Sequence, residues 1–146
     1  MRKQWIRGGL RSVRRGGYAR RGAAVVEMAV VTPLLLMIMF GIIEFGWVFM
    51  IQETITNAAR EAARVGALQA STQSDVENRF MQAMAPTGIA VSPGMLTYTP
   101  ASTNNPTVTV SVKIPYSQVS LLGQYLGINI DKNIGSSCTM RKEGQL

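Results

Sequence analysis

The chain reads as an α+β protein: a long N-terminal transmembrane helix that extends into a small head built on an antiparallel sheet. Three observations carry this reading. A basic N-terminal segment leads into an apolar run of membrane-spanning length. The helical pattern continues beyond that run as a stripe of small residues. Further on, Val108, Val110, Val112 and Ile114 alternate with Thr109, Ser111 and Lys113, the period-two pattern of a half-buried strand. At 146 residues there is room for one small domain beside a membrane segment, and not for two independent cores. The expected organisation is a basic leader over 1–22, a transmembrane helix over 23–51, a helical extension over 52–70 and a small α/β head over 71–146.

The net charge of +7 invites a nucleic-acid reading until it is divided along the chain. Arg2, Lys3, Arg7, Arg11, Arg14, Arg15, Arg20 and Arg21 all precede Ala23, and no acid stands among them. The rest of the chain is nearly neutral, so the basicity belongs to the leader. An Arg-rich arm binds phosphate backbones by charge neutralisation. Directly before an apolar helix, however, Lys and Arg mark the cytoplasmic flank. The leader therefore orients the helix, and no nucleic-acid partner is expected.

Met28 to Ile43 carries no charge, Glu44 follows, and the run from Phe45 to Ile51 is apolar again. A helix over Met28–Ile51 is about 36 Å long, enough to cross a hydrocarbon core of about 30 Å with some tilt. Trp47 suits the far interface, and Pro33 lies in the first turns, where it kinks a membrane helix rather than ending it. A cleaved secretory signal has a shorter apolar region and a small-x-small site, which this segment lacks. The lipid bilayer is thus the first partner. Glu27, at the near edge of the run, is either an acid welcomed by the helix N-terminus or a charge with a specific partner. Glu44 has two open readings: water at the interface, or a pairing between helices.

Past Ile51, strong helix formers continue to about Gln69. Ala58, Ala62 and Gly66 form one row at four-residue spacing, and Ala59, Ala63 and Ala67 form its neighbour. Small side chains at that spacing admit a close backbone. The expected partner is the sheet of the same chain, with a neighbouring subunit as the alternative. Arg60, Glu61 and Arg64 border the stripe as a solvated face. Ser74 with Glu77 has the form of a capping box for a helix over Asp75–Ala85, which Pro86-Thr87-Gly88 ends. Ile89–Thr99 reads as an interrupted strand, and Pro100–Pro106 as a loop. Gln118–Leu126 is a short helix or a loop, with Leu121, Leu122 and Leu126 packing down. A last strand falls within Ile128–Arg141. About three strands of this size need a helix to cover one face.

No catalytic constellation is visible. Histidine, the commonest general base, is absent from the whole sequence. Cys138 is the single cysteine, which excludes an internal disulfide and, without histidine, argues against structural zinc. It reads as a small buried hydrophobe, or else as a thiol pairing between subunits. Asp75, Glu77, Asp131 and Glu143 have no spacing of a metal or paired-carboxylate site. No cofactor and no enzymatic activity are expected.

One stretch carries a resemblance. Arg21-Gly22-Ala23-Ala24-Val25-Val26-Glu27-Met28-Ala29, then Pro33-Leu34-Leu35-Leu36, Gly41-Ile42-Ile43-Glu44-Phe45-Gly46 and Asn57-Ala58-Ala59-Arg60-Glu61-Ala62-Ala63-Arg64, resembles TadE-like proteins. These are pseudopilins of the tight adherence (Tad/Flp) pilus system. The likeness covers about residues 20–68, and the C-terminal half matches only in style. The resemblance implies that a prepilin peptidase cuts between Gly22 and Ala23, with Gly22 a feature of the substrate. It further implies that Glu27 pairs with the new α-amine of Ala23, in its own chain or a neighbour's. Other Tad pilins and pseudopilins, and an inner-membrane secretion platform, are the implied partners. The implied location is the bacterial inner membrane, N-terminus in the cytoplasm and head outside. Major pilins usually carry Phe and Tyr where Ala23 and Met28 stand, so a minor, assembly-assisting role is the expectation. The competing expectation is an uncleaved single-pass protein whose head binds a ligand or scaffolds a secretion complex.

Overall fold

A computed structural model describes residues 16–123, 127 and 130–144 of the chain. The leader arginines up to Arg15, and the expected packing of Leu126, lie outside the described residues. The order of elements is α1 (Gly16–Gly66), α2 (Gln73–Met84), β1 (Leu96–Thr99), β2 (Thr107–Pro115), α3 (Tyr116–Val119) and β3 (Asn133–Arg141). A long N-terminal apolar helix is thus followed by a three-stranded antiparallel sheet, the α+β class the pattern predicts. The chain divides into two units, Met1–Met39 and Phe40–Leu146.

In the first unit the described residues belong to α1, with Pro33 inside it. From Gly22 to Met39 every side chain is exposed, including Val30 and Met37 at 72%. A helix of apolar side chains that bury themselves in nothing is built for an apolar solvent. α1 is the one helix among the described residues long and apolar enough to cross a membrane.

The second unit contains the core. The sheet order is β1-β2-β3, antiparallel throughout, and β2 is central. Its alternation divides the sheet into two faces. Val108, Val110, Val112 and Ile114 are buried inward, with Leu96 opposite Val112 and half-buried Ile134 opposite Ile114. On the other face Thr109 and Thr139 share a hydroxyl hydrogen bond of 3.0 Å, as Ser111 and Ser137 do at 2.9 Å. Such cross-strand pairs stabilise a register that the apolar pattern has already selected.

Ile51, Ile55, Ala58, Ala59, Ala62 and Ala63 of α1 join Val76, Phe80 and Met84 of α2 and Leu96, Val110, Val112 and Ile114 of the sheet in one apolar cluster. The small stripe is therefore covered within the same chain. At Gly66 an added Cβ would lie 3.0 Å from Tyr98 Cε2 and from Val108 Cγ1, so this last helical residue has little room to grow. The end of β3 returns to the same place, where the Glu143 N–H donates to Ala67 O at 2.8 Å. Glu61 belongs to the solvated border as expected, and there it meets Arg79 of α2 at 2.6 Å. An exposed pair of this kind contributes about 0–1 kcal/mol.

Four local expectations are corrected. α2 is capped two residues earlier than Ser74: Thr72 is the N-cap, and Asp75 completes the capping box. Thr72-x-x-Asp75 and Ser74-x-x-Glu77 compete for one role. The earlier start also allows Gln73 to donate to Glu77 at 2.7 Å across one turn. The interrupted strand shrinks to Leu96–Thr99, because Pro93 opens a 3₁₀ turn closed by Met95 N–H on Ser92 O at 2.9 Å. Val119, not Leu121, packs down after β2; Leu121 is 40% exposed and Leu122 half-buried. Cys138 is a free, half-buried thiol opposite Val110 rather than a fully buried one.

Candidate functional site

The residues singled out from sequence fall into two groups, one in each unit. Gly22, Ala23 and Glu27 lie on exposed helix in the first. Nothing stands within 4 Å of a Cβ placed on Gly22. Glu27 has no hydrogen bond or ion pair with any described residue, so its carboxylate is open to a partner from elsewhere. Glycine costs about 1 kcal/mol relative to alanine inside a helix, which makes Gly22 a weak point in α1.

The helix-packing group, Ala58, Ala59, Ala62, Ala63 and Gly66, is buried in the second unit. It is continuous with a polar seam that sequence reasoning did not assign. Counting back from Ile55 and Ile51 in steps of three and four reaches Val48 and Trp47, then Glu44, all half-buried. Trp47 Nε1–H donates to Val119 O at 2.8 Å, and Gln52 Nε2–H donates to Gly135 O at 3.0 Å. These bonds attach the middle of α1 to α3 and to β3.

Glu44 is the centre of the seam. Its Oε2 accepts the backbone N–H groups of Leu121 at 3.1 Å and Leu122 at 3.0 Å, and its Oε1 accepts the Tyr116 hydroxyl at 3.3 Å. Ser120, between them in the chain, is buried, and its Oγ accepts the Gly123 N–H at 2.7 Å. Neither earlier reading of Glu44 describes this arrangement. The charge is met by two amides and a phenol hydroxyl of its own chain, a dipole-lined anion site after β2. The Tyr116 phenol is in turn pushed above its ordinary range, first by burial and then by the negative charge beside it.

This geometry ties a helix to a loop. Among the described residues no group of three or more His, Cys, Asp or Glu is placed to hold a metal ion. The clue to Glu44 was present in the helical period, which places it on the buried side. Its partners are backbone amides, however, and no side-chain motif announces them.

The family model described as TadE-like protein matches residues 22–64. That segment, nearly a third of the chain, holds Gly22, Glu27, Glu44 and the alanine rows, and it begins at the glycine of the junction. No curated protein and no solved structure matches the chain.

Proposed function

We propose, from this TadE-like segment, that the chain is a Tad pilus-associated protein: a processed membrane-anchored pseudopilin, or minor pilin. It assists assembly of a Tad-type adhesion pilus alongside other Tad pilins and an inner-membrane secretion platform. A prepilin peptidase cuts after Gly22. The observation that carries this reading is the junction itself: Gly22 and Glu27 sit exposed, without partners among described residues, at the start of the family match.

The physical logic supports each step. Peptide bonds are cut in opened chain, and Gly22 lowers the cost of opening the helix there. Cleavage creates an α-ammonium on Ala23 five positions from Glu27, counting inclusively. A carboxylate at the edge of lipid needs such a cation. The basic leader holds the N-terminus in the cytoplasm, which puts the sheet domain outside.

In this reading the membrane segment is shorter than the 23–51 expected from sequence. Trp47, Val48 and Ile51, inside the span of 23–51 expected from sequence, pack against the sheet domain. Ala23–Ile43 is the stretch left wholly exposed. At 1.5 Å per residue it extends about 32 Å, close to the hydrocarbon thickness. In this reading lipid covers Ala23–Ile43, and Glu44 begins the outside.

The test is genetic complementation in a strain lacking the native gene. Wild type restores surface fibres and adhesion, whereas Gly22→Leu leaves the precursor uncut and restores neither. Full restoration by a chain shown to retain its leader would favour an uncleaved scaffold and overturn the proposal.

A further inference from the structure

Glu44 does more than hold a loop: it determines where that loop stands along the chain's path out of the membrane. Its carboxylate bonds the amides of Leu121 and Leu122 directly. One turn later, Trp47 bonds the carbonyl of Val119. Residues 119–122 are therefore held at the level of Glu44 and Trp47. Glu44 is also the residue that follows the exposed apolar run ending at Ile43.

Apolar side chains collect at that level without cover. Leu121 is 40% exposed and Leu122 half-buried, and Phe45, next to Glu44, is 74% exposed. The other side of the loop brings Ile130 close. Tyr116 N–H donates to Lys132 O at 2.8 Å, and Lys132 N–H donates to Ile130 O at 2.8 Å. Tyr116 itself bonds Glu44, so Ile130, 37% exposed, belongs to the same end of the sheet. Exposed Lys132 stands beside it, a long cationic side chain of the kind that reaches phosphate headgroups from an interfacial position.

We infer that Leu121, Leu122 and Ile130 form an interfacial anchor that dips into the outer leaflet of the bilayer, with Lys132 at the headgroup level. The inference rests on the reading that Ala23–Ile43 spans a membrane. Its occupant is phospholipid because the patch adjoins the exposed apolar residues Phe40, Ile42, Ile43 and Phe45 of the same unit: the carboxylate set among them binds the loop. The sheet domain is then held at the membrane by two attachments, the helix and the loop. Two attachments restrict its tilt, whereas a helix alone does not.

The test is depth measurement by spin labelling of the full chain in vesicles of phosphatidylcholine and phosphatidylglycerol. The background carries Cys138→Ala, and single labels are placed by Leu121→Cys, Ile130→Cys, Ile38→Cys and Asn104→Cys. Ile38 reports the span, and the exposed turn residue Asn104 reports water. The expected result is oxygen accessibility at 121 and 130 between that at 38 and that at 104, as for labels at the edge of the hydrocarbon. Accessibility to a water-soluble nickel reagent there should be several-fold lower than at 104. Labels 121 and 130 as wet as 104, with 38 in lipid, overturn the anchor and leave the span intact. Labels at 121 and 130 shielded from both reagents mean that protein covers the patch, which also overturns it. A wet label at 38 removes the span and the anchor together.

Discussion

Replacing Glu44 with alanine removes the acceptor of two backbone amides and one phenol at once. Hydrogen bonds to a charged group contribute about 1.5–3 kcal/mol each, so the two amides set a ceiling of about 3–6 kcal/mol. The Tyr116 bond, at 3.3 Å, adds little. Two features lower the ceiling. Leu121 is exposed, so water satisfies its amide once the carboxylate is gone, and alanine gains a few tenths of a kcal/mol (about 0.3) in helix propensity. The net expectation is a loss of about 2 kcal/mol, a fall in melting temperature of about 8–16 °C for a domain of this size. Glu44→Gln keeps one acceptor oxygen and should lose about half as much. The assay is thermal and urea denaturation of the full chain in detergent, read from Trp47 fluorescence in a Trp5→Phe background. Trp47 bonds Val119 O one turn from the mutation, so it senses detachment of the loop directly. A change below about 0.5 kcal/mol in Glu44→Ala, the ordinary range for surface substitutions, would mean that the carboxylate does not hold the loop.

Ala62 is fully buried in the stripe, and Ala62→Leu should destabilise by about 3 kcal/mol, the upper end of overpacking, in the same melts. Asn57→Leu, on the exposed side of α1, should stay within about 0.5 kcal/mol. The Asp75 carboxyl is held below the usual range by the Thr72 hydroxyl and then by the Thr72 N–H. Its stabilisation is present above the unfolded Asp value near 4 and is lost as pH falls through the lower folded value. The protection factors of amides at the start of α2, measured against intrinsic exchange at each pH, should therefore fall in acid, and Asp75→Asn should flatten that dependence. Tyr116 has the opposite sign: its raised folded value gives stability that is complete below the unfolded tyrosine value near 10 and fades as pH climbs. Urea midpoints across that range should fall with pH, less steeply in Glu44→Gln because the neighbouring charge has gone.

The parts of the fold visible in the sequence are those in which one period dominates. β2 shows its buried valines because a half-buried strand has to alternate, and α1 shows its length because lipid excludes charge. The alanine rows were legible for the same reason, down to their burial against the chain's own sheet. Features decided by competition among equal local signals were not legible. Two overlapping capping boxes, at Thr72 and Ser74, differ only in which start lets Gln73 reach Glu77. Leu121 and Val119 are both apolar, and only the turn of α3 determines which of them faces the core. The role of Glu44 was hidden more deeply, since its partners are main-chain groups that every sequence possesses. The junction at Gly22 is a different case: its residues are legible, but the processing proposed for them leaves no mark on the fold.

With the proposed processing the functional molecule begins at Ala23, which the intact mass of the chain, recovered from membranes of cells that carry the Tad system, reads without intermediary. The expected mass is that of residues 23–146, allowing for modification of the new N-terminus, and the full-length mass when Gly22 is replaced by leucine. A wild-type chain that retains its basic leader, in fibre-bearing cells with an active prepilin peptidase, would contradict that processing.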